Sequence, residues 1–157
     1  MTQSRDIPIT AEGLAQVRQE LDTLVNTRRP EIVAKIKAAR EHGDLSENFE
    51  YHAARNEQSF IETRIQELEG IVKNHVIIES RATNGRVDLL STVTFAEEGE
   101  PDEKYRIVGS TEADPSAGRI SFESAIGRAL MGHKSGDDVE VTTPSGGRYT
   151  IRILKVE

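Results

Sequence analysis

The sequence predicts an α+β protein in two parts: an N-terminal antiparallel α-helical coiled-coil hairpin over residues 1–75, then a small α+β domain on an antiparallel sheet over residues 76–157. Three observations carry this. Apolar residues in the first half recur at alternating spacings of three and four, as Leu14, Val17, Leu21, Leu24, Ile32, Ile36 and again as Ile61, Ile65, Leu68, Val72, which is the seam of a coiled coil. The two seams fit each other at one constant index sum: Leu14 with Val72, Leu21 with Ile65, Val25 with Ile61 and Ile32 with Ala54 all give 86, which places the turn at residue 43, a glycine. After residue 75 the pattern changes to short β-rich runs separated by turn residues.

Taken in order, Thr10 is the expected N-cap of the first helix. From Leu14 to Gly43 the arm is about 43 Å long at the α-helical rise. Pro30 has no N–H and its ring crowds the preceding turn, so the first helix should bend there or carry a bulge. In the second half the expected strands are Val87–Phe95, Tyr105–Val108, Arg119–Phe122, Val139–Thr143 and Tyr149–Val156, with one short helix at Ser124–Met131. Turns are expected at Asn84-Gly85, Glu98–Asp102, Asp114–Gly118 and Pro144–Gly147, the last joining two alternating runs into a hairpin.

Composition bounds the function. The 157 residues hold 20 basic and 27 acidic side chains, for a net charge of −7, and no cysteine. Disulfide scaffolds, thiolate metal sites and cysteine nucleophiles are therefore excluded. The longest aliphatic run is Val76-Ile77-Ile78, too short to cross a bilayer, and the N-terminus shows no apolar signal region. A cytoplasmic protein is expected. Neither half has the basic surplus of an autonomous nucleic-acid binder, so any such contact must be local or arranged by a partner. The four histidines have no metal-ligand spacing, and neither a nucleophile turn nor a phosphate-cradling glycine loop is present.

The chemistry concentrates at the hairpin tip, residues 43–51. Asp44, Glu47 and Glu50 lie three apart at the expected start of the second helix, which would put their carboxylates on one face. Two readings compete. Asp44-x-x-Glu47 is a capping-box pattern, and acidic residues in a first turn complement the helix dipole. Alternatively, Asp44 and Glu47 are held at the end of a rod to bind Mg²⁺, which takes one or two carboxylates and completes its shell with water and phosphate oxygens. Two carboxylates alone hold Mg²⁺ weakly, so a second site would have to complete them. Leu45, Phe49 and Tyr51 are apolar or aromatic groups at a solvated tip and suggest that it docks into something. Arg40 and Arg55 read as solvated helix charge or as a small basic spot that tracks a nucleic-acid backbone.

The stretches Arg28-Arg-Pro-Glu-Ile and Ala39-Arg-Glu-His-Gly-Asp-Leu-Ser-Glu-Asn-Phe-Glu-Tyr-His-Ala-Ala-Arg55 resemble the bacterial transcript cleavage factors of the Gre family, GreA type. Gly85-Arg-Val, Tyr105-Arg-Ile-Val-Gly, Glu112-Ala-Asp, Ile126-Gly-Arg-Ala-Leu and Gly132-His-Lys-x-Gly-Asp extend the resemblance from Ile9 to Val156. It implies a coiled coil followed by a domain similar to FK506-binding proteins, in a monomer that binds RNA polymerase at its secondary channel and is no enzyme alone. The resemblance further implies that the factor stimulates the polymerase's own cleavage of backtracked RNA, whose 3′ end lies in that channel, so that elongation resumes. Asp44 and Glu47 match the family's two essential tip acids, which would support a Mg²⁺ shared with the polymerase and orient the attacking water. Arg40 and Arg55 match its basic positions for the extruded RNA. Ser124, Ala125, Ile126 and Arg128 fall in the segment expected to dock on the polymerase. Two positions depart from the family pattern: Ser46 stands where many relatives have lysine, and Ala125 where many have proline.

Three rival readings bear on the same features. An anti-Gre inhibitor would occupy the same channel, but carries a denser acidic tip. A prolyl isomerase needs an aromatic-lined pocket, for which the second half offers only Phe95, Tyr105, Phe122 and Tyr149. A bare coiled-coil adaptor would recover no polymerase.

Overall fold

The computed structural model describes residues 6–43 and 48–157. They fall into two compact units. Glu12–His75 belong to the first, and Asp6–Ala11 with Val76–Glu157 to the second. The boundary differs from the expected division at residue 75, because the N-terminal segment packs with the C-terminal half. Ile9 is completely buried, Glu112 accepts hydrogen bonds from both the Thr10 N–H (2.9 Å) and the Thr10 hydroxyl (2.5 Å), and Gly109 lies so close to the Pro8 carbonyl that a Cβ there would clash with it.

The first unit is a helical hairpin. Helix α1 (Ala11–Thr23) runs through a π-helical turn (Leu24–Arg28) into α2 (Arg29–Arg40), and α3 (Phe49–Asn74) returns. The π turn is the bulge expected beside Pro30. The Arg29 N–H reaches back five residues to the Leu24 carbonyl, and this wider turn re-spaces the carbonyls that the proline ring would otherwise strike. The seam is as expected: Ile32, Ile36, Ala54, Ile61 and Ile65 form a buried cluster, with Leu21, Leu24, Val25 and Tyr51 packed against it. Glu20 with Arg64, Arg28 with Glu57 and the Asn48–Ala39 hydrogen bond lie within two residues of the predicted register. The longer-reaching Arg29–Glu62 pair is bidentate, at 2.8 and 2.9 Å. Such exposed pairs contribute about 0–1 kcal/mol each, so the apolar seam decides the pairing and the charges tune it.

In the second unit, β1 (Ile7–Ile9) pairs with β2 (His75–Ile77). The main sheet has five strands, β3 (Thr92–Glu97), β4 (Glu103–Val108), β5 (Arg119–Ser121), β6 (Asp138–Thr142) and β7 (Arg148–Val156), in the order β5-β4-β3-β7-β6. Helix α4 (Ala125–Leu130) packs on it, with Leu130 in the same core as Val93, Phe95, Ile107, Val139, Val141, Ile151 and Ile153. The sheet is mixed where an antiparallel one was expected: β4 and β5 run parallel, joined by a connection that holds two 3₁₀ turns, Ser110–Glu112 and Pro115–Ala117. The expected strand over Val87–Phe95 is shortened at its start. Leu90 adopts φ +71°, and Ser91 turns back on Asp88, which breaks the extended run before Thr92. The Asn84-Gly85 turn forms with both residues at positive φ, and the Gly146 turn closes the β6–β7 hairpin. Among the described residues no helix is long and apolar enough to cross a membrane.

Candidate functional site at the hairpin tip

Helix α2 ends at Arg40, and Gly43 at φ +114° takes the chain out of the helix in a conformation that side chains rarely adopt. The tip acids Asp44 and Glu47 lie outside the described residues, with Leu45 and Ser46. What the structure does place is the residue that restarts the helix. Asn48 is extended (φ −90°, ψ 97°), and its side-chain oxygen accepts the Tyr51 N–H at 3.0 Å, the geometry of an N-cap. The N-cap of α3 is thus Asn48, and Glu50 lies in that helix's first turn. The shared face expected through Asp44, Glu47 and Glu50 involves two residues that lie outside the described ones.

The Asn48 amide also works in the other direction: its Nδ2 donates to the Ala39 carbonyl at 2.8 Å. Ala39 is buried in the last turn of α2, and its carbonyl also accepts the His42 N–H. One side chain therefore caps the returning helix and ties it to the end of the outgoing one. The sequence did not single out Asn48, because the capping-box pattern just upstream, at Asp44 and Glu47, offered a competing cap. The signal present was an asparagine placed directly before an uninterrupted helical run.

Arg40 and Arg55 come together. Both line one groove beside the tip, with Val33, Ile36, Lys37, Glu41 and Gln58. The Arg40 guanidinium lies 5.7 Å from the centre of the Tyr51 ring, a cation–π distance, and Arg55 Nη1 makes a long bond to Gln58 at 3.4 Å. Among the described residues, Arg40, Arg55 and Lys37 form no ion pair with a carboxylate, whereas Arg28, Arg29 and Arg64 further down the arm are all paired. Lys37, three residues before Arg40 on the same helix face, is the basic residue that sequence reasoning missed. Tyr51 is half-buried against the seam and so is a packing residue. Phe49, in contrast, is 88% exposed and is the apolar group that a docking surface would cover.

The segment expected to dock lies at α4. The Ser124 hydroxyl accepts the Gly127 N–H and donates to the Ser121 carbonyl. Ala125 and Ile126 are half-buried against the core of the second unit, and Gly127 sits where a Cβ would strike the Ser121 carbonyl. Arg128 points its charge to solvent. Three of the four residues thus build the helix, and Arg128 is the one that presents a charge. Among the described residues no group of three or more His, Asp or Glu side chains is placed to hold a metal ion.

Two family models together span almost the whole chain: "Transcription elongation factor, N-terminal" matches residues 7–77, and "Transcription elongation factor, GreA/GreB, C-term" matches residues 82–157. The protein named Transcription elongation factor GreA in Macrococcus caseolyticus is 46% identical over 157 residues, 99% of each chain. The one so named in Staphylococcus aureus is 44% identical over 158 residues, the full length of both. Among solved structures, the transcription factor Gfh1 is 28% identical, with 99% of each chain covered and a TM-score of 0.48.

Proposed function

Because the chain belongs to the GreA/GreB family of transcription elongation factors, we propose that it binds RNA polymerase at the secondary channel and stimulates the polymerase's own cleavage of backtracked nascent RNA. The observation that carries this reading is the groove beside the tip. Arg40, Arg55 and Lys37 have no carboxylate partner among the described residues, in a chain whose net charge is −7. Cations left unpaired at the end of an acidic rod suit a phosphodiester backbone brought to them by a partner.

In this reading the arm carries the tip to the polymerase active centre, and each of its residues has a distinct task. Arg40 and Arg55, with Lys37, hold the extruded RNA by its phosphates. Asp44 and Glu47 supply the oxygen donors that Mg²⁺ favours, and orient the attacking water. The ion, when bound there together with the polymerase's own, supplies charge stabilisation at the scissile phosphate and a more acidic water. Arg128 contacts the polymerase surface from α4, and the protein acts as a cytoplasmic monomer with no hydrolytic activity of its own.

The test is a stalled, backtracked elongation complex incubated with and without the protein. Faster release of 3′-terminal RNA fragments supports the proposal. Slower release, with the protein bound, identifies a channel-blocking inhibitor.

A further inference from the structure

We infer that the groove beside the tip takes a whole nucleotide of the extruded RNA, guanosine best, with Glu41 as the residue that reads its base; the inference deepens the cleavage-stimulating reading above and rests on it. Two groups in the groove have no task on a track for phosphates alone. Glu41 lines it together with Lys37, Arg40 and Arg55, yet its carboxylate makes no ion pair or hydrogen bond among the described residues. A carboxylate there repels a phosphate. It is also poorly placed for stability: Glu41 is the C-cap of α2, at the helix end whose dipole disfavours negative charge. The second group is Val33, an aliphatic side chain on the same groove that is 51% exposed and gains nothing from a charged, hydrated ligand.

Both groups suit a base. Single-stranded bases are recognised by stacking on aromatic rings or arginine planes and by hydrogen bonds to their Watson–Crick edges. Arg40 offers such a plane: its guanidinium lies 5.7 Å from the centre of the Tyr51 ring, and Arg40 borders the groove where Tyr51 does not. Val33 and Ile36 add an apolar wall, and the volume of about 400 Å³ is that of a small-molecule site. The polar groups then select the base. The Glu41 carboxylate only accepts, on two oxygens. Gln58, half-buried, accepts a long bond from Arg55 on Oε1 at 3.4 Å, which leaves its Nε2 to donate. A carboxylate and an amide donor in one groove match guanine, whose N1–H and N2 amino group lie side by side, next to the O6 acceptor. Adenine and cytosine offer one amino group each. Uracil offers one imide N–H, flanked by two carbonyls that repel a carboxylate. Lys37 and Arg55 remain for the phosphate.

The experiment uses stalled, backtracked complexes in which each extruded nucleotide in turn is guanosine, uridine or an abasic residue. The readout is the cleavage rate with subsaturating protein divided by the rate without it, which removes the polymerase's own base preference. At one extruded position guanosine should give a ratio at least about fivefold that of uridine, and the abasic residue should give the lowest. Glu41→Gln should lose most of the guanosine advantage, because an amide cannot accept from both guanine donors on two oxygens, and Gln58→Leu should narrow it. A purely structural role for Glu41 would change the melting temperature and leave the base preference as it was. Equal stimulation by the parent at every position, whatever the base, would overturn the inference, as would a full guanosine advantage in folded Glu41→Gln. The first of these arms needs no variant and decides even where a variant folds poorly. If the parent accelerates cleavage of none of the RNAs, the reading beneath fails and the inference with it. If it accelerates all of them alike, that reading stands and only the base recognition fails.

Discussion

With Asn48 occupying the cap of α3, an Asp44→Asn substitution removes no described helix cap, and its melting temperature should match the parent's. A drop of several degrees by calorimetry would return a structural role to Asp44. The arginines make a different prediction. Arg40→Glu and Arg55→Glu should reduce cross-linking from the RNA 3′ end to the protein while polymerase binding stays nearly unchanged, because both line one groove beside the tip and neither pairs with a carboxylate among the described residues. Parallel loss of both would place these residues in protein docking instead. At this scale the sequence was legible in the placing of Arg40 and Arg55: both were expected near the tip, and both line one groove there. Asn48 was not legible, since a cap is defined by where the backbone leaves the helix, and two acids upstream carried the same local signature.

The hairpin rests on its seam, so Ile65→Asp should destabilise it by several kcal/mol, as a buried and unpaired charge does. Leu21→Asp should cost less, because Leu21 is only half-buried where Ile65 is 1% exposed. Unchanged thermal unfolding in both would reject the register. The hairpin should also weaken in acid. Hydrogen bonding to Arg64 holds the Glu20 carboxyl below the usual range, and Arg29 does the same for Glu62. Folded-state values below the unfolded ones mean that this stabilisation is fully present above about pH 4.3 and is lost as pH falls through the lowered folded values. Thermal melts across that window should show the decline, and it should flatten in a Glu20→Gln, Glu62→Gln double variant. The seam, the Gly43 turn and the bulge at Pro30 were all readable, because a heptad spacing and a missing N–H act locally. The direction of β5 was not. A three-residue strand carries no trace of whether its neighbour runs parallel or antiparallel; that depends on the connection Gly109–Gly118 and on tertiary pairing. Leu90 is a similar case: a leucine at positive φ has no propensity signal, so the run from Val87 looked like one strand.

For the molecule as a whole, the sequence divided the chain at a change of periodicity, near residue 75. The structure moves six N-terminal residues across that division, since the Thr10–Glu112 bonds join positions about a hundred apart, and no local pattern reports so distant a partner. Two tip carboxylates are too few to hold a catalytic Mg²⁺ unaided, so the purified protein should hydrolyse no RNA in the absence of polymerase; cleavage by the protein alone would contradict the shared-site account. The most direct measurement is the rate of RNA cleavage in a stalled, backtracked complex, driven by the parent or by Asp44→Asn across a Mg²⁺ titration. The account predicts that Asp44→Asn folds and binds polymerase like the parent, loses most of the stimulation at low Mg²⁺, and recovers part of it as Mg²⁺ is raised. Undiminished stimulation by a folded, polymerase-bound Asp44→Asn at every Mg²⁺ concentration would contradict it.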